Sequence, residues 1–325
     1  MFDLTNEIYN DANKAREHLE AIHWPNGPIC PHCGNVDPAR ITKLEGKSTR
    51  PGVYKCKECR KPFSVTVGTV FERSKIALNK WVLATHLMAA SKKGMSAHQL
   101  HRMLGVTYKT AWFMAHRIRE AMKEDVQTSG PIGGEGKTVE ADETYFGKRE
   151  DGYVSPQRKG RPYKFKKKAV GKRSVVALVE RGGNVRSFHV QHATKATVRD
   201  ILVRNADRKS TLYTDESRLY TETGKEYGDH ETVKHSAGEY VRYEGDAVIH
   251  TNTIENVFSV FKRGMMGVYH HCGESHMHRY LAEFDFRYNR RAALKVSDAE
   301  RAEDLLRHAR GKRLTYRRIG EAAHA

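Results

Sequence analysis

The apolar positions of this chain follow two different rhythms. Between residues 76 and 122 the spacing is helical. Ile76, Trp81, Leu83 and Leu87 mark a first apolar helix, ended by Gly94 with Lys92 and Lys93 in its last turn. Ser96 stands where an N-cap is needed for a short helix holding Leu100, Met103 and Leu104. Gly105 makes the turn, and Thr107 caps a third helix through Glu120, with Ala111, Met114, Ala115 and Ile118 at core spacing. Beyond residue 138 the period shortens to two. Thr138, Glu140, Asp142 and Thr144 share one parity of a strand, so Glu143 is expected to point away from Asp142. Val175–Val179 and Val185–Val190 read as a hairpin around Arg181-Gly182-Gly183. Thr197–Asn205 reads as a helix, and a β-favouring run from Thr211 ends in Asp215. Ile254, Val257, Phe258 and Phe261 then fall at i, i+3, i+4 and i+7, an amphipathic helix.

Breaks in these rhythms divide the chain. WPNGP at 24–28 ends a short N-terminal helical stretch, and 128–137 carries five Gly or Pro and reads as a linker. The expected units are residues 1–75, a helix-turn-helix domain at 76–127, an α/β domain at 138–295 and a basic tail at 296–325. No internal repeat is visible.

Composition narrows the class. The 57 Lys and Arg against 39 Asp and Glu leave a net charge of +18, which calls for a polyanionic partner, nucleic acid first. No stretch reaches the roughly 18 consecutive apolar residues of a membrane span. The acidic, polar N-terminus does not read as a secretory signal, so a cytoplasmic, nucleoid-associated protein is expected. Four of the five cysteines form two CxxC pairs, Cys30/Cys33 and Cys56/Cys59, separated by 22 residues. Two such knuckles supply four thiolates to one tetrahedral Zn²⁺. All four positions are then filled, so the zinc is structural. Tyr54, Phe63, Val65 and Val67 alternate with polar residues and give the strands of a small zinc ribbon. In the helix-turn-helix, the third helix would enter the major groove by its N-terminus, making Tyr108 and Lys109 candidate DNA contacts, with Trp112 and basic Arg117 beside them.

The carboxylates carry candidate chemistry. Asp142 lies on a strand, Asp215 at a strand end, and Glu255 on the amphipathic helix, with Lys262 two turns along the same face. Phosphodiester transfer needs hard cations at the scissile phosphate, and two Mg²⁺ ions about 3.5–4 Å apart activate the attacking oxygen and stabilise the leaving one. Two or three carboxylates suffice, because Mg²⁺ prefers oxygen ligands and keeps some waters.

At this point the chain resembles insertion-sequence DDE transposases that join an N-terminal zinc ribbon to an RNase H-like, ISXO2-like transposase domain. The resemblance rests on CPHCG with CKECRKPFSVTVGTVFE, KWVLATHLMAASKKGMSAHQL, VEADETYFGK, YTDES and HTNTIENVFSVFKRGMMGVYHHCGESHMHRYLAEFDFRYNRR, from about residue 15 to residue 291. It implies an RNase H-like mixed β-sheet flanked by helices, preceded by the ribbon and the helix-turn-helix. The local pattern of three strands, helix, strand and helix reaches that order on its own. The resemblance further implies that Asp142 and Asp215 bind the catalytic Mg²⁺ or Mn²⁺, that Glu255 is the third acid, and that Lys262 touches DNA nearby. Asn252, Asn256 and His250 stand beside Glu255 as other candidates for the third position, and Glu140 shares the Asp142 face. The implied partners are double-stranded DNA with terminal inverted repeats, target DNA, and a second copy of the chain in a homodimer or larger synaptic assembly.

Two segments stand apart. From Gln157 to Arg173 there are nine Lys or Arg and no acid, with Tyr163 and Phe165 interleaved, so Lys166, Lys167 and Lys168 are candidate contacts to the DNA backbone. His270, His271, Cys272, His276 and His278 are better explained by helix packing and phosphate contacts than by a second metal site. Two competing functions remain at this stage: a non-catalytic zinc-ribbon and helix-turn-helix DNA-binding protein, and a nuclease on the same fold.

Overall fold

The computed structural model describes residues 3–124, 129–147, 172–245 and 247–315. The chain forms two compact units, Met1–Lys123 with Arg290–Ala325, and Glu124–Asn289.

In the first unit, α1 (Glu7–Asn10) and α2 (Ala12–His23) precede a three-stranded antiparallel sheet of β1 (Ile41–Lys43), β2 (Tyr54–Cys56) and β3 (Pro62–Phe63). Trp24 meets Tyr54 and Phe63 edge-on, at 5.3 and 5.8 Å between ring centroids, which gives this small sheet an aromatic core. The alternation through Val65 and Val67 does not extend the strand: the chain turns after Phe63, although Val65 is buried. Three helices follow: α3 (Leu78–Ala90), α4 (Ala97–Leu104) and α5 (Tyr108–Met122). Both short-range caps form as the sequence requires. Ser96 accepts the Gln99 N–H, and Thr107 accepts the Thr110 N–H. Gly105 takes the left-handed conformation, φ +59°, that closes α4. Helix α3 stops earlier than expected, at Ala90, because Ser91 Oγ folds back to bond both the N–H and C=O of Gly94. Lys92 and Lys93 therefore sit in a turn rather than in a helix.

Part of the stretch expected as a basic tail, 296–325, is helical. Asp298–His308 is a helix opened by a capping box of Ser297 and Glu300. It buries Ala302, Leu305 and Leu306 against α2, α3 and α5. Its basic residues mask that apolar stripe in a count of composition. Just after this helix, Ala309 accepts the Val70 N–H and the Gly311 N–H donates to the Gly68 carbonyl.

In the second unit, β4 (Thr138–Phe146), β5 (Arg173–Glu180), β6 (Val185–Val190), β7 (Thr211–Asp215) and β8 (Asp229–Val233) form one mixed sheet in the order β6-β5-β4-β7-β8. The β4–β5 and β5–β6 pairs are antiparallel, and β4–β7 and β7–β8 are parallel. This is the RNase H-like arrangement. Helices α6 (Lys195–Asn205) and α7 (Thr221–Gly224) and a separate hairpin of β9 (Arg242–Glu244) and β10 (Ala247–Ile249) lead to α8 (Asn252–Gly264) and α9 (Met277–Asn289).

Strand parity assigns the two faces. Val175, Ala177 and Val179 pack with Ile254, Val257, Phe258 and Phe261 of α8. Val176 and Leu178, with Val139 and Ala141 of β4, pack with Val198, Ile201 and Leu202 of α6. A strand covered on both sides reads as a continuous apolar run, hence SVVALV. Each such Val or Leu contributes on the order of 1.5–3 kcal/mol when fully buried. Pairing places Glu140 opposite Val179 and Asp142 opposite Ala177, so both acids start from the α8 face. The second half of the expected linker is woven into this unit: Ile132 is buried, donates to Asn205 and accepts from Asp207. Arg173, counted with the basic loop by sequence, begins β5, where it is buried and donates to the Cys272 carbonyl at 2.5 Å.

Candidate active site

Asp142 lies past the last β4–β7 pair, Glu140 with Tyr213. The two strands part there, and the opening is where Asp215, the final residue of β7, presents its carboxylate. Carboxylate oxygens of Asp142, Glu143 and Asp215 all lie within 4.8 Å of one another. The expectation that Glu143 points away is corrected. Its parity does start it on the α6 face, but β4 has no β7 partner at this level, and the longer side chain reaches round the strand edge. The buried Tyr220 hydroxyl donates to Glu143 at 2.8 Å and holds it there.

The electrostatics follow from this crowding. Burial first, then the Asp215 and Glu143 charges, push the Asp142 carboxyl up to about 8. Burial also raises Glu143 and Asp215. Burial and the Glu143 charge hold the Tyr220 phenol well above its usual value. Hard oxygen donors that repel one another at this distance fit a divalent cation, which would relieve the repulsion and take the same atoms as ligands. Backbone geometry also fixes the acids: Asp142 accepts the Glu143 N–H at 2.7 Å, and Asp215 accepts the Ser217 N–H at 3.1 Å.

Glu255 sits in the first turn of α8, near enough that its charge contributes to the rise at Asp142. Its carboxylate is not part of the three-acid group. It lies 3.3 Å from His235 Nε2 and 3.4 Å from Thr251 Oγ1. Lys262 is in the last turn of α8, half-buried, about 10 Å along the axis from Glu255. Asn252 and Asn256 are exposed on the same helix, while His250 faces Glu140 at 3.5 Å. Glu140 is fully buried and holds the start of α8 rather than joining the three acids.

The four ribbon cysteines converge. Cys30 and Cys59 sulfurs are 3.6 Å apart and those of Cys33 and Cys56 3.7 Å. A tetrahedron with Zn–S bonds of about 2.3 Å requires sulfurs about 3.8 Å apart, so the set fits zinc. The backbone N–H of Cys59 pulls the Cys56 thiol below its ordinary value, while burial and the neighbouring sulfurs push the Cys33 thiol up to about 12. Exposed His32 lies outside this group, and Cys272 is buried in the core beside α8 and α9.

Among the candidate DNA contacts, Tyr108 opens α5, is 45% exposed and stacks on His98 at 4.3 Å. Lys109 is exposed beside it, and Trp112 is half-buried. Arg117 is corrected. It is buried, donates to the carbonyls of Glu72 and Leu314, and lies 5.0 Å over the Phe113 ring. Its guanidinium holds the first unit together and is not on the surface. Lys166, Lys167 and Lys168 lie outside the described residues.

The sheet order and the crowded carboxylates at its parting strands, in one chain with a four-cysteine ribbon, give two sites fitted to metal ions, one of oxygen donors and one of sulfurs. Residues 133–289 match the ISXO2-like transposase domain, and residues 10–62 match the transposase zinc-ribbon domain. A protein of Halobacterium salinarum, described as an uncharacterized protein in transposable element ISH50, is 32% identical over 289 residues, 84% of this chain and 90% of that one. The chain therefore belongs to the insertion-sequence DDE transposases with a zinc ribbon and an ISXO2-like transposase domain, and its activity is that of a DNA transposase. Remote matches among solved structures include the Mos1 strand transfer complex, 11% identical over 66% of this chain and 77% of that one with a TM-score of 0.19. The Mos1 paired-end complex with the left transposon end is 11% identical over 63% of this chain and 78% of that one, also at 0.19. Likeness at that level adds nothing to the assignment. Among the described residues, no helix is long and apolar enough to cross a membrane.

Sequence reasoning missed Glu143, Tyr220, His235 and Arg181. Only Glu143 carried a signal, its adjacency to Asp142. The others depend on contacts between distant segments.

Proposed function

We propose that this transposase cuts and joins DNA at the ends of its own insertion sequence, with Asp142 and Asp215 holding Mg²⁺ or Mn²⁺ and Glu255 completing the ligand set. The observation that carries the reading is the meeting of Asp142 and Asp215 at the parting of β4 and β7. A bound pair of divalent cations would activate the attacking oxygen and stabilise the leaving oxygen. The chain's own part is to fix the acids through backbone N–H groups and to keep them partly out of water. Glu255, one turn into α8, supports the third role by its effect on Asp142. Lys262 supplies a cation to the DNA backbone further along the same helix. Tyr108 and Lys109 read terminal inverted repeats, and Lys166, Lys167 and Lys168 grip phosphates. Two ends must be held at once, which calls for a homodimer or larger synaptic assembly on the chromosome, in the cytoplasm.

A second reading is favoured by one observation: Glu143, not Glu255, already stands with the two aspartates. The test uses zinc-loaded full-length protein and a supercoiled plasmid carrying the gene with its flanking DNA. On the first reading, Glu255→Gln loses strand cleavage and joining in Mg²⁺ and Mn²⁺ but still binds the plasmid ends, whereas Glu143→Gln keeps at least a tenth of the activity. The reverse ranking gives the third role to Glu143. Cleavage without joining by the unaltered protein would mean a nuclease on this fold.

A further inference from the structure

Glu140 is fully buried two residues before Asp142, on the same face of β4. One carboxylate oxygen accepts from Arg181 Nε at 2.7 Å and from Thr253 Oγ1 at 2.8 Å. The other accepts the Ile254 N–H at 3.0 Å. Helix α8 has no side-chain cap of its own from Thr251, so a carboxylate from the neighbouring strand satisfies one of its orphan N–H groups. Arg181 completes the device. It opens the β5–β6 turn, where its N–H is pinned to the Thr138 carbonyl at 3.0 Å. Its guanidinium donates to the carbonyls of Val248 and His250 at 2.7 and 2.8 Å and lies 4.7 Å over the Tyr213 ring. It therefore grips the chain entering α8 from one side while Glu140 grips the first turn from the other.

We infer that the Glu140–Arg181 pair is a positioning clamp that sets the place of Glu255 relative to Asp142, and thereby the metal affinity of the site. Both acids hang from elements that this pair ties together: Asp142 on the strand that supplies Glu140, and Glu255 one residue beyond the clamped Ile254 N–H. The clamp has four bonds outside the pair itself, two from Glu140 to the first turn of α8 and two from Arg181 to the segment before it. The inference rests on Glu255 as the third acid.

The test uses zinc-loaded full-length protein, Mn²⁺ as the probe, and four variants: Glu140→Gln, Arg181→Lys, Glu255→Gln and the double variant of Glu140→Gln with Glu255→Gln. Mn²⁺ binding is read by electron paramagnetic resonance, and hydrogen exchange is read on peptides spanning 250–262 in Mn²⁺-free buffer. Glu140→Gln is expected to weaken Mn²⁺ binding by about tenfold or more, the usual effect of removing a group that orients a metal ligand. It should also speed exchange at residues 254–258 while leaving β5 unchanged. Arg181→Lys, which keeps the charge but loses the fork, should fall between. Combining Glu140→Gln with Glu255→Gln should cost no more than Glu255→Gln alone, because Glu140 acts through Glu255. Additive losses would overturn the clamp, as would unchanged exchange in α8. If Glu255→Gln alone leaves Mn²⁺ binding intact, the third-acid assignment fails; the exchange result then still decides whether Glu140 holds α8.

Discussion

Replacing Asp142 by Asn removes the charge that the metal-free site tolerates least. The amide keeps the Oδ1 that accepts the Glu143 N–H at 2.7 Å, so the backbone bond survives. The carboxyl it replaces is raised from 3.8 to about 8, by burial first and then by Asp215 and Glu143. A folded-state value above the unfolded one means that the native protein keeps a proton the unfolded chain has lost. The associated stability is complete below about pH 4 and drains away as pH rises toward 8. Between pH 5 and pH 8 the shift is worth at most about 4 kcal/mol, at 1.36 kcal/mol per unit. Relaxation and water at the strand edge reduce this to about 2 kcal/mol. The assay is native-state hydrogen exchange on β4 and β7 peptides, after desalting into Mg²⁺-free buffer without chelator so that structural zinc stays bound. The opening free energy of the unaltered protein should fall by about 2 kcal/mol from pH 5 to pH 8. Asp142→Asn should fall clearly less, and about 10 mM Mg²⁺ should restore the unaltered protein at pH 8 but not the variant. Identical pH slopes in the two proteins would refute the crowded-carboxylate account.

Other perturbations separate the remaining parts. Cys56→Ser should drop zinc content from about one per chain to near zero and expose the ribbon to exchange while β4–β8 stay protected, as inductively coupled plasma mass spectrometry with hydrogen exchange will show. Lys109→Ala should lower the slope of log affinity against log salt by about one, in fluorescence anisotropy with terminal-repeat DNA. Arg117→Ala, by contrast, should cost about 2–4 kcal/mol in urea unfolding, because it strands the buried carbonyls it serves. Gly133→Ala should destabilise the second unit by about 2–4 kcal/mol in the same measurement: φ there is +89°, and the new Cβ would stand 2.2 Å from Ser210 Oγ.

Much of this architecture could be read from residue order because local signals agreed with the tertiary result. Ser96, Gly105 and Thr107 specify their helix ends by chemistry that needs no distant partner. Ile254, Val257, Phe258 and Phe261 are all buried on one side of α8, as their spacing requires. The zinc knuckles were legible for the same reason, since CxxC fixes two ligands within one turn. The failures have a common cause. Parity gives the direction in which Glu143 leaves β4, but not where a long, flexible side chain ends when the neighbouring strand stops. Charge alone assigns Arg117 to DNA, yet the carbonyls that it serves belong to Glu72 and Leu314, remote in sequence. The helix at 298–308 was hidden by its own arginines. Glu140 and Arg181 join through a β-hairpin turn and a helix start that no periodicity connects.

On the proposed mechanism Asp142 and Asp215 would grip the cations through which this protein cuts and joins DNA. The most direct measurement is strand joining in Mn²⁺ on labelled DNA from the two ends of its element, by the unaltered protein, Asp142→Asn and Asp215→Asn, with binding to the same DNA followed in parallel. The account predicts joined product from the unaltered protein alone, with end binding within about twofold across all three. Joining by either Asn variant at the unaltered rate would contradict it.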